Sequence, residues 1–544
     1  MGNCLQNKKT AFAKWFYIIW SAIVAVATIT MAVIKGRNAA LGVLFWGVIV
    51  LCLGVCRPNS KLNLMSLDSS GRKKNIITII AALLTIAACV LPMSSTPIWN
   101  GEIPEHRNQY EMMTDAILDG KLYIEYGDEE GLAQLENPYS PEEREEAGVT
   151  FHWDHAFYDG HYYMYFGVVP VFLLFLPFKV LTGTTLLAYQ ATQIFAALSI
   201  VGIFVLFRLL ADRFFKKLSF GIYISLSVAV SVISVWFSIG QPALYCTAIT
   251  SAICLMVWSI YFFSRAIWMT KSENKQILFA AIGSLLGALA FGCRPPIALA
   301  NLIVIPFVIM FVRQRKFSLA VLGKLVLAAL PYLVVGALLM TYNYVRFDNP
   351  LEFGQAYQLT VTDQTQYTFF NFQHNFNGYI YQIFLNFFGL PETTVTFPYI
   401  GYKCGSAFVN FPVLLLVFGL ARPKVIKKIR ENKITLFTVF LIAIPLIITF
   451  MDVLWSPFMT ERYRMDIYFL VGILCFVACG LFHQSLSQKN QKRFSSLVMY
   501  LSLISLFMCV WLYSAPQTIN VQYTDKISEI INNMEQIILF WKFL

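Results

Sequence analysis

Apolar runs of about twenty residues recur along this chain, and nothing constrains its fold more. Wound as a helix, a run of that length crosses the ~30 Å hydrocarbon core of a bilayer. A helix also satisfies its own backbone polar groups there, which an open strand or loop cannot do. The runs fall at 11–34, 39–56, 75–93, 163–181, 184–210, 220–239, 244–264, 277–293, 297–312, 319–340, 406–421, 434–450, 467–482 and 495–513. Only 13% of the 544 residues are charged and 58% are hydrophobic, against about 25% charged in a typical soluble domain. That balance excludes a disordered chain and an ordinary water-soluble enzyme. The fold class expected is an all-α polytopic membrane protein.

Charge orients the chain. The formal net charge of +11 suggests nucleic acid in a soluble protein, but its distribution points elsewhere. Residues 94–162 hold sixteen of the thirty acids and three basic residues, a net of −13, which leaves +24 for the rest. Basic loops remain on the cytoplasmic side of a membrane, so the acidic loop belongs outside and no nucleic-acid partner is expected. Arg57, Lys61, Arg72, Lys73 and Lys74 place the loop before 75–93 inside. If 163–181 crossed the bilayer, Arg213, Lys216, Lys217, Arg313, Arg315, Lys316 and the cluster 422–433 would all face outward. If it lies in the outer interface, they all face inward. Pro170, Pro177 and Lys179 suit a broken interfacial helix pair. About thirteen transmembrane helices follow, with the amino terminus cytoplasmic and outer-face interfacial helices beside them. The basic start followed by 11–34 reads as a retained anchor. In the tail, Ile527, Ile530, Ile531, Met534, Ile537, Ile538 and Trp541 repeat at helical spacing, which predicts an amphipathic helix on the outer leaflet. No CxxC pair occurs among the eleven cysteines, which argues against structural zinc.

Three parts follow from this reading. Residues 1–74 form an N-terminal helical hairpin and a basic cytoplasmic loop. Residues 75–482 form the membrane core, with the acidic outer loop 94–162, the interfacial segment 163–181 and a second outer loop 341–405. Residues 483–544 supply the last transmembrane helix and the outer tail.

The outer loops carry the chemistry. The stretch 151–167 packs Asp154, Asp159, three histidines, Trp153, Tyr163 and other aromatics beside the membrane-parallel segment. Aromatic faces stack on sugars, and a carboxylate can accept a hydroxyl proton. The same stretch also reads as an interfacial aromatic belt with solvated acids. The runs within 128–146 read as plain solvated surface, and His152 and His155 as hydrogen-bonding groups rather than metal ligands. Arg294, between two apolar runs, is either an anchor for a lipid phosphate or a snorkelling side chain. Arg346 and Glu352 open the second outer loop as site residues or as parts of a structured turn. Arg462 and Arg464 stand at the outer border, against the charge rule. Either an anionic headgroup or pairing with Glu461 and Asp466 explains them. Lys324, inside a span, is left to snorkel or pair internally. Gly283 and Gly287 read as helix packing.

Across roughly 75–482 the pattern resembles the GT-C class of polytopic glycosyltransferases. It is similar to bacterial relatives of the protein mannosyltransferase and aminoarabinose transferase group, the glycosyltransferase-39-like enzymes. The resemblance rests on a long outer loop with an acid and Tyr110 ahead of Asp119-Gly120, and on Trp153-Asp154 through Pro170 into Leu181-Thr182-Gly183. It rests also on the interfacial segment and on Arg462-Tyr463 before a late span. It implies an outer-loop carboxylate as base or orienting group for the acceptor, and a basic residue near the outer border on the donor's lipid phosphate. Glu105 lies where the family has an Asp-Glu pair, but His106 replaces the second acid. That makes Asp154 the first choice for the catalytic carboxylate and Glu105 the second.

The function expected is therefore a membrane glycosyltransferase of the bacterial plasma membrane. It moves a hexosyl or pentosyl group from a polyprenyl-phosphate sugar to a cell-envelope glycan, lipid or protein on the extracytoplasmic face. Trp153, Tyr110, Asp159 and Tyr163 are candidates for acceptor or sugar binding. Arg462, Tyr463, Arg294 and Arg346 are candidates for lipid-phosphate binding. No metal ligands are assigned, and of cofactors only a divalent metal is left open. The rivals are a lipid or polysaccharide transporter, which needs polar groups along several spans, and a catalytically inactive GT-C-like protein.

Overall fold

The computed structural model describes all residues except 1, 69–70, 95–108, 243, 367–375, 402–403, 456–460 and 516–523. Among the described residues, twelve helices are long and apolar enough to cross a membrane. They are Trp15–Ile34, Arg37–Val55, Arg72–Met93, Ala188–Phe214, Phe220–Gly240, Tyr245–Met269, Glu273–Phe291, Pro295–Arg315, Leu319–Phe347, Thr435–Leu454, Glu461–Gln484 and Gln488–Tyr513. The chain is a multi-pass helical membrane protein.

The expected crossing at 406–421 takes a different form. A single helical turn, Ala407–Asn410, breaks at Phe411 and continues as a 3₁₀ helix over Pro412–Ala421. Pro412 removes a backbone donor at the break, although Pro331 and Pro445 are accommodated inside the α-helices Leu319–Phe347 and Thr435–Leu454. Neighbouring helices satisfy backbone groups at the break: Val413 N–H donates to Ser505 Oγ at 3.1 Å, and Cys475 Sγ donates to the Val413 carbonyl at 3.2 Å.

Glu461–Gln484 is the central element. Of its most apolar stretch 94% is buried, against 6% for Trp15–Ile34. Apolarity alone does not set this difference, because both stretches have a mean hydropathy of 2.2 and either protein or lipid can cover an apolar helix. Phe220–Gly240, Thr435–Leu454 and Pro412–Ala421 pack around it. A Cβ on Gly472 would collide with Val230, so the two helices meet at backbone distance. Gly283 and Gly287 pack against Phe263 and against Asn301 and Tyr332, as their spacing suggested. Lys324 pairs with Glu273 at 2.8 Å, a partly exposed carboxylate that Arg315 also meets at 3.1 Å.

One end of the bundle carries a cap. The short helices Gln109–Leu118, Glu129–Ala133 and Pro141–Glu146 precede an antiparallel hairpin of β1 (His155–Tyr158) and β2 (His161–Met164). This hairpin is a local correction to the all-α expectation. Its turn is Asp159-Gly160, with φ of 46° and 72°, the positive pair that a two-residue I′ turn requires. Residues 357–359, in the loop after Leu319–Phe347, run along β1. Asp154 N–H donates to the Leu359 carbonyl at 3.0 Å, Phe157 N–H to Tyr357 at 2.9 Å and Leu359 N–H to His155 at 2.8 Å.

The segment 163–181, expected as a broken helix pair, contains one short helix preceded by strand and turn residues. Tyr163 and Met164 belong to β2, and the helical part is Val171–Thr182, opening with a π-turn over Val171–Phe175 and ending at Gly183 with φ 71°. Twelve residues of helix measure about 18 Å, too short to cross a ~30 Å core. The tail forms the expected amphipathic helix, Thr524–Ile538. It lies against Arg37–Val55, where Trp46 Nε1 donates to the Ile538 carbonyl at 2.8 Å and Asn38 Nδ2 to Asn533 and Gln536 at 2.8 and 2.9 Å.

Candidate functional site

The cap meets the helix ends around Asp154. This residue stands just before β1 with φ 57°, a left-handed conformation that costs a non-glycine residue free energy and clusters at functional sites. Four contacts hold it there. Besides its N–H bond to Leu359, its carbonyl accepts from Gln109 Nε2 at 2.7 Å. Its Oδ1 accepts from Gln358 Nε2 at 2.8 Å, and its Oδ2 accepts from the Tyr245 hydroxyl. Gln109 is itself fixed, since its Oε1 accepts from Tyr165 N–H at 2.9 Å. Burial raises the Asp154 carboxyl above the usual carboxylate range, with the Arg462 charge and the Gln358 hydrogen bond pulling the other way. A carboxylate so placed gains basicity, which suits proton acceptance.

Tyr245 opens the helix Tyr245–Met269. Its ring packs edge-on against Phe166 at 5.0 Å between centroids. On it lies Arg462, the guanidinium carbon 3.6 Å from the ring centroid and 5.6 Å from the ring of Tyr463. Arg462 makes no hydrogen bond or ion pair among the described residues. It is a cation held by π-faces, one tyrosine away from the Asp154 carboxylate.

Arg294 reaches the same place from the break between Glu273–Phe291 and Pro295–Arg315. Its Nε donates to both Asp466 oxygens at 2.9 Å, and its guanidinium carbon stands 5.5 Å from the Tyr463 ring. The fully buried Asp466 therefore neutralises Arg294, and Arg462 is left without a direct ion pair among the described residues, within electrostatic reach of Asp154 and Asp466. Asp452 is 3% exposed, has no hydrogen-bond partner for Oδ2 among the described residues, and lies within electrostatic reach of this pair. Arg464 pairs with Glu461 and donates to Asn386 at 3.0 Å, so that arginine is consumed in the fold.

Trp153 is 53% exposed beside Asp154, tilted on Phe151 at 5.3 Å, with its face available. Other expected site residues are spent on structure. Tyr110 is fully buried between Phe166 and Phe175, stacked at 6.1 and 5.4 Å. Asp159 is the hairpin turn. Tyr163 packs on Phe347 at 5.2 Å. Arg346 donates to the Met164 carbonyl at 3.1 Å and to Asn343 at 2.8 Å, which ties the helix Leu319–Phe347 to β2. Glu105 lies outside the described residues. His155 bonds Tyr126 at 2.8 Å, and His152 bonds Asp128 at 3.1 Å while stacking on Tyr126. Among the described residues no three His, Cys, Asp or Glu side chains gather as a metal site.

Tyr245, Gln358, Gln109 and Asp452 did not stand out in the sequence. Asp452 lies two residues past the apolar run 434–450, and the helix Thr435–Leu454 takes it in, where an ionisable residue marks function by default. The glutamines and Tyr245 carried no signal, since their role comes from loops meeting across the fold.

No protein-family model matches the chain, and no curated protein matches it. Among solved structures it is similar to the oligosaccharyltransferase of Archaeoglobus fulgidus in the apo form, at 11% sequence identity and a TM-score of 0.40. The match covers 85% of this chain and 60% of that one, so the chain spans less than two thirds of that protein's length.

Proposed function

We propose that the protein is a GT-C-like membrane glycosyltransferase that moves a sugar from a polyprenyl-phosphate donor to a cell-envelope acceptor on the extracytoplasmic face. One observation carries this reading: a part-buried carboxylate of raised basicity and a guanidinium with no ion-pair partner among the described residues are bridged by one tyrosine at a single end of the bundle. Glycosyl transfer from a lipid phosphate needs both charges, a negative one at the acceptor and a positive one at the leaving group.

Asp154 takes the proton from the acceptor hydroxyl as its oxygen attacks the anomeric carbon. The bond from that carbon to the phosphate oxygen breaks, and its electron pair stays on the phosphate. Arg462 meets that charge with a planar donor fork matched to phosphate oxygens. Attack opposite the leaving group inverts the anomeric centre. Trp153 offers its face to the sugar. Tyr463, between Arg462 and Arg294, keeps the two guanidiniums on one side of the site. Tyr110, Asp159, Tyr163 and Arg346 act by holding the cap, and Arg294 by filling the Asp466 pocket. Glu105 is a second acid for the same acceptor.

The acidic loop faces outward in this reading, and the basic stretches 213–217, 313–316 and 422–433 face the cytoplasm of a bacterial cell. The test is transfer by the purified protein in liposomes supplied with polyprenyl-phosphate sugars. Activity lost in Asp154→Asn and Arg462→Gln is the expected result. Unchanged turnover in Asp154→Asn overturns the assignment of the base. Donor-independent movement of lipid across the bilayer favours a transporter instead.

A further inference from the structure

Tyr245 touches both halves of the site, and it touches each with a different part of itself. Its hydroxyl donates to Asp154 Oδ2. Its ring face carries Arg462 at 3.6 Å. Phe166 braces its edge at 5.0 Å, so the ring cannot swing away without disturbing the cap. The other Asp154 oxygen is held from the loop after Leu319–Phe347 by Gln358, so Tyr245 is the contact that ties the acid to the membrane bundle. Arg462 has no carboxylate partner among the described residues, so its position rests on the two rings beneath it. Asp154, Tyr245 and Arg462 come from three separate elements: the cap, the start of Tyr245–Met269 and the start of Glu461–Gln484.

We propose that Tyr245 is a two-sided positioning residue, whose hydroxyl aligns the Asp154 carboxylate while its ring seats Arg462 for an anionic lipid phosphate. A single rigid side chain then fixes the distance between the proton-accepting group and the phosphate-holding group. Pre-set geometry of this kind lowers the entropy cost of bringing two reacting groups together. The assignment rests on the glycosyltransferase reading for its chemistry, but the ring seat makes its own prediction about anion binding.

Two substitutions separate the two sides. Tyr245→Phe removes the hydroxyl and keeps the ring. Tyr245→Leu removes both. Binding is measured with farnesyl phosphate as the probe on the full chain in detergent, and transfer in liposomes with polyprenyl-phosphate sugars. Tyr245→Phe should bind farnesyl phosphate within about twofold of wild type, lower kcat about tenfold, and move the acid limb of the pH–rate profile upward, because Asp154 loses a donor to its charged form. Tyr245→Leu should in addition weaken farnesyl phosphate binding about fivefold, a loss in the range of one cation–π contact. In an Arg462→Gln background, Tyr245→Leu should give no further loss of binding, since the seat then holds nothing.

Equal farnesyl phosphate affinity in Tyr245→Leu and wild type overturns the seat. So does full additivity of Tyr245→Leu with Arg462→Gln. An unmoved acid limb in Tyr245→Phe overturns the link to Asp154. If no polyprenyl-phosphate sugar supports transfer while the binding pattern holds, the glycosyltransferase reading falls and the seat of Arg462 stands.

Discussion

Arg294 Nε donates to both carboxylate oxygens of Asp466, each at 2.9 Å, across 172 positions of the chain. The pair joins the break between Glu273–Phe291 and Pro295–Arg315 to the central helix Glu461–Gln484. Asp466 is fully buried, and a buried charge that loses its partner is costly. Asp466→Ala should therefore lower stability by about 3–5 kcal/mol. The double variant Arg294→Met with Asp466→Leu should recover most of that loss, because a well-packed apolar pair avoids desolvating two charges. Thermal unfolding in detergent reads both. A double variant no better than the single one would show that the pair does more than fill space.

Asp154→Asn keeps the size of the side chain and one of its two acceptor oxygens while removing the base. Turnover should fall by about 10²–10⁴-fold, with little change in unfolding temperature. In the wild type, Asp154 must be ionised to accept a proton, and burial lifts its carboxyl above the usual range. The rate should thus fall on the acid side at a higher pH than for an exposed aspartate. A pH–rate profile in liposomes locates that limb, and a limb at the ordinary carboxylate position would count against Asp154.

His155 gives a stability prediction with a definite sign. Burial holds its imidazole down to about 4, against an ordinary 6.5. Between those values the unfolded chain binds a proton that the folded chain refuses, so folding stability drops as pH falls through this window. The full drop is about 3 kcal/mol for one group. Its neighbours are the Tyr126 hydroxyl and the Trp153 carbonyl at 2.8 and 2.9 Å. Denaturation midpoints at pH 7 and pH 4.5 should differ less in His155→Gln than in wild type.

The hairpin turn separates structure from chemistry. Asp159→Asn should leave turnover unchanged, because asparagine accepts a left-handed conformation as readily in a two-residue turn. Gly160→Ala should cost about 1–2 kcal/mol, since φ 72° suits glycine and not alanine. A large loss of turnover in Asp159→Asn with an intact fold would return Asp159 to the sugar site.

Arg462 and Arg346 should fail in different ways. Arg462→Gln should raise the KM for the lipid donor and lower kcat, with the fold intact. Arg346→Gln should lower stability by about 1–3 kcal/mol, by leaving the Met164 carbonyl and Asn343 without their donor. Donor kinetics and unfolding curves measured on both variants check the contrast.

Residue order alone determined the class of this protein. Runs of about twenty apolar residues predict helices because each helix closes its own hydrogen bonds, and no distant partner is needed. The same local logic found the amphipathic tail at Thr524–Ile538, and it placed Asp154 and Arg462 at the outer ends of their segments. The break at Pro412, by contrast, was not legible from the apolar run 406–421, because prolines such as Pro331 and Pro445 lie inside unbroken helices. The tertiary structure decided which charges are free. Arg294, Arg346, Arg462 and Arg464 look alike along the chain, yet three are neutralised or tied to carbonyls and Arg462 lies open on Tyr245. That distinction depends on Asp466, Met164, Glu461 and Tyr245, and of these only Glu461 is near its ion-pair partner in sequence. Electrostatics at a site follows distance in space, so the pairing of distant loops, and not the spacing of residues, selected Asp154, Tyr245 and Arg462 together.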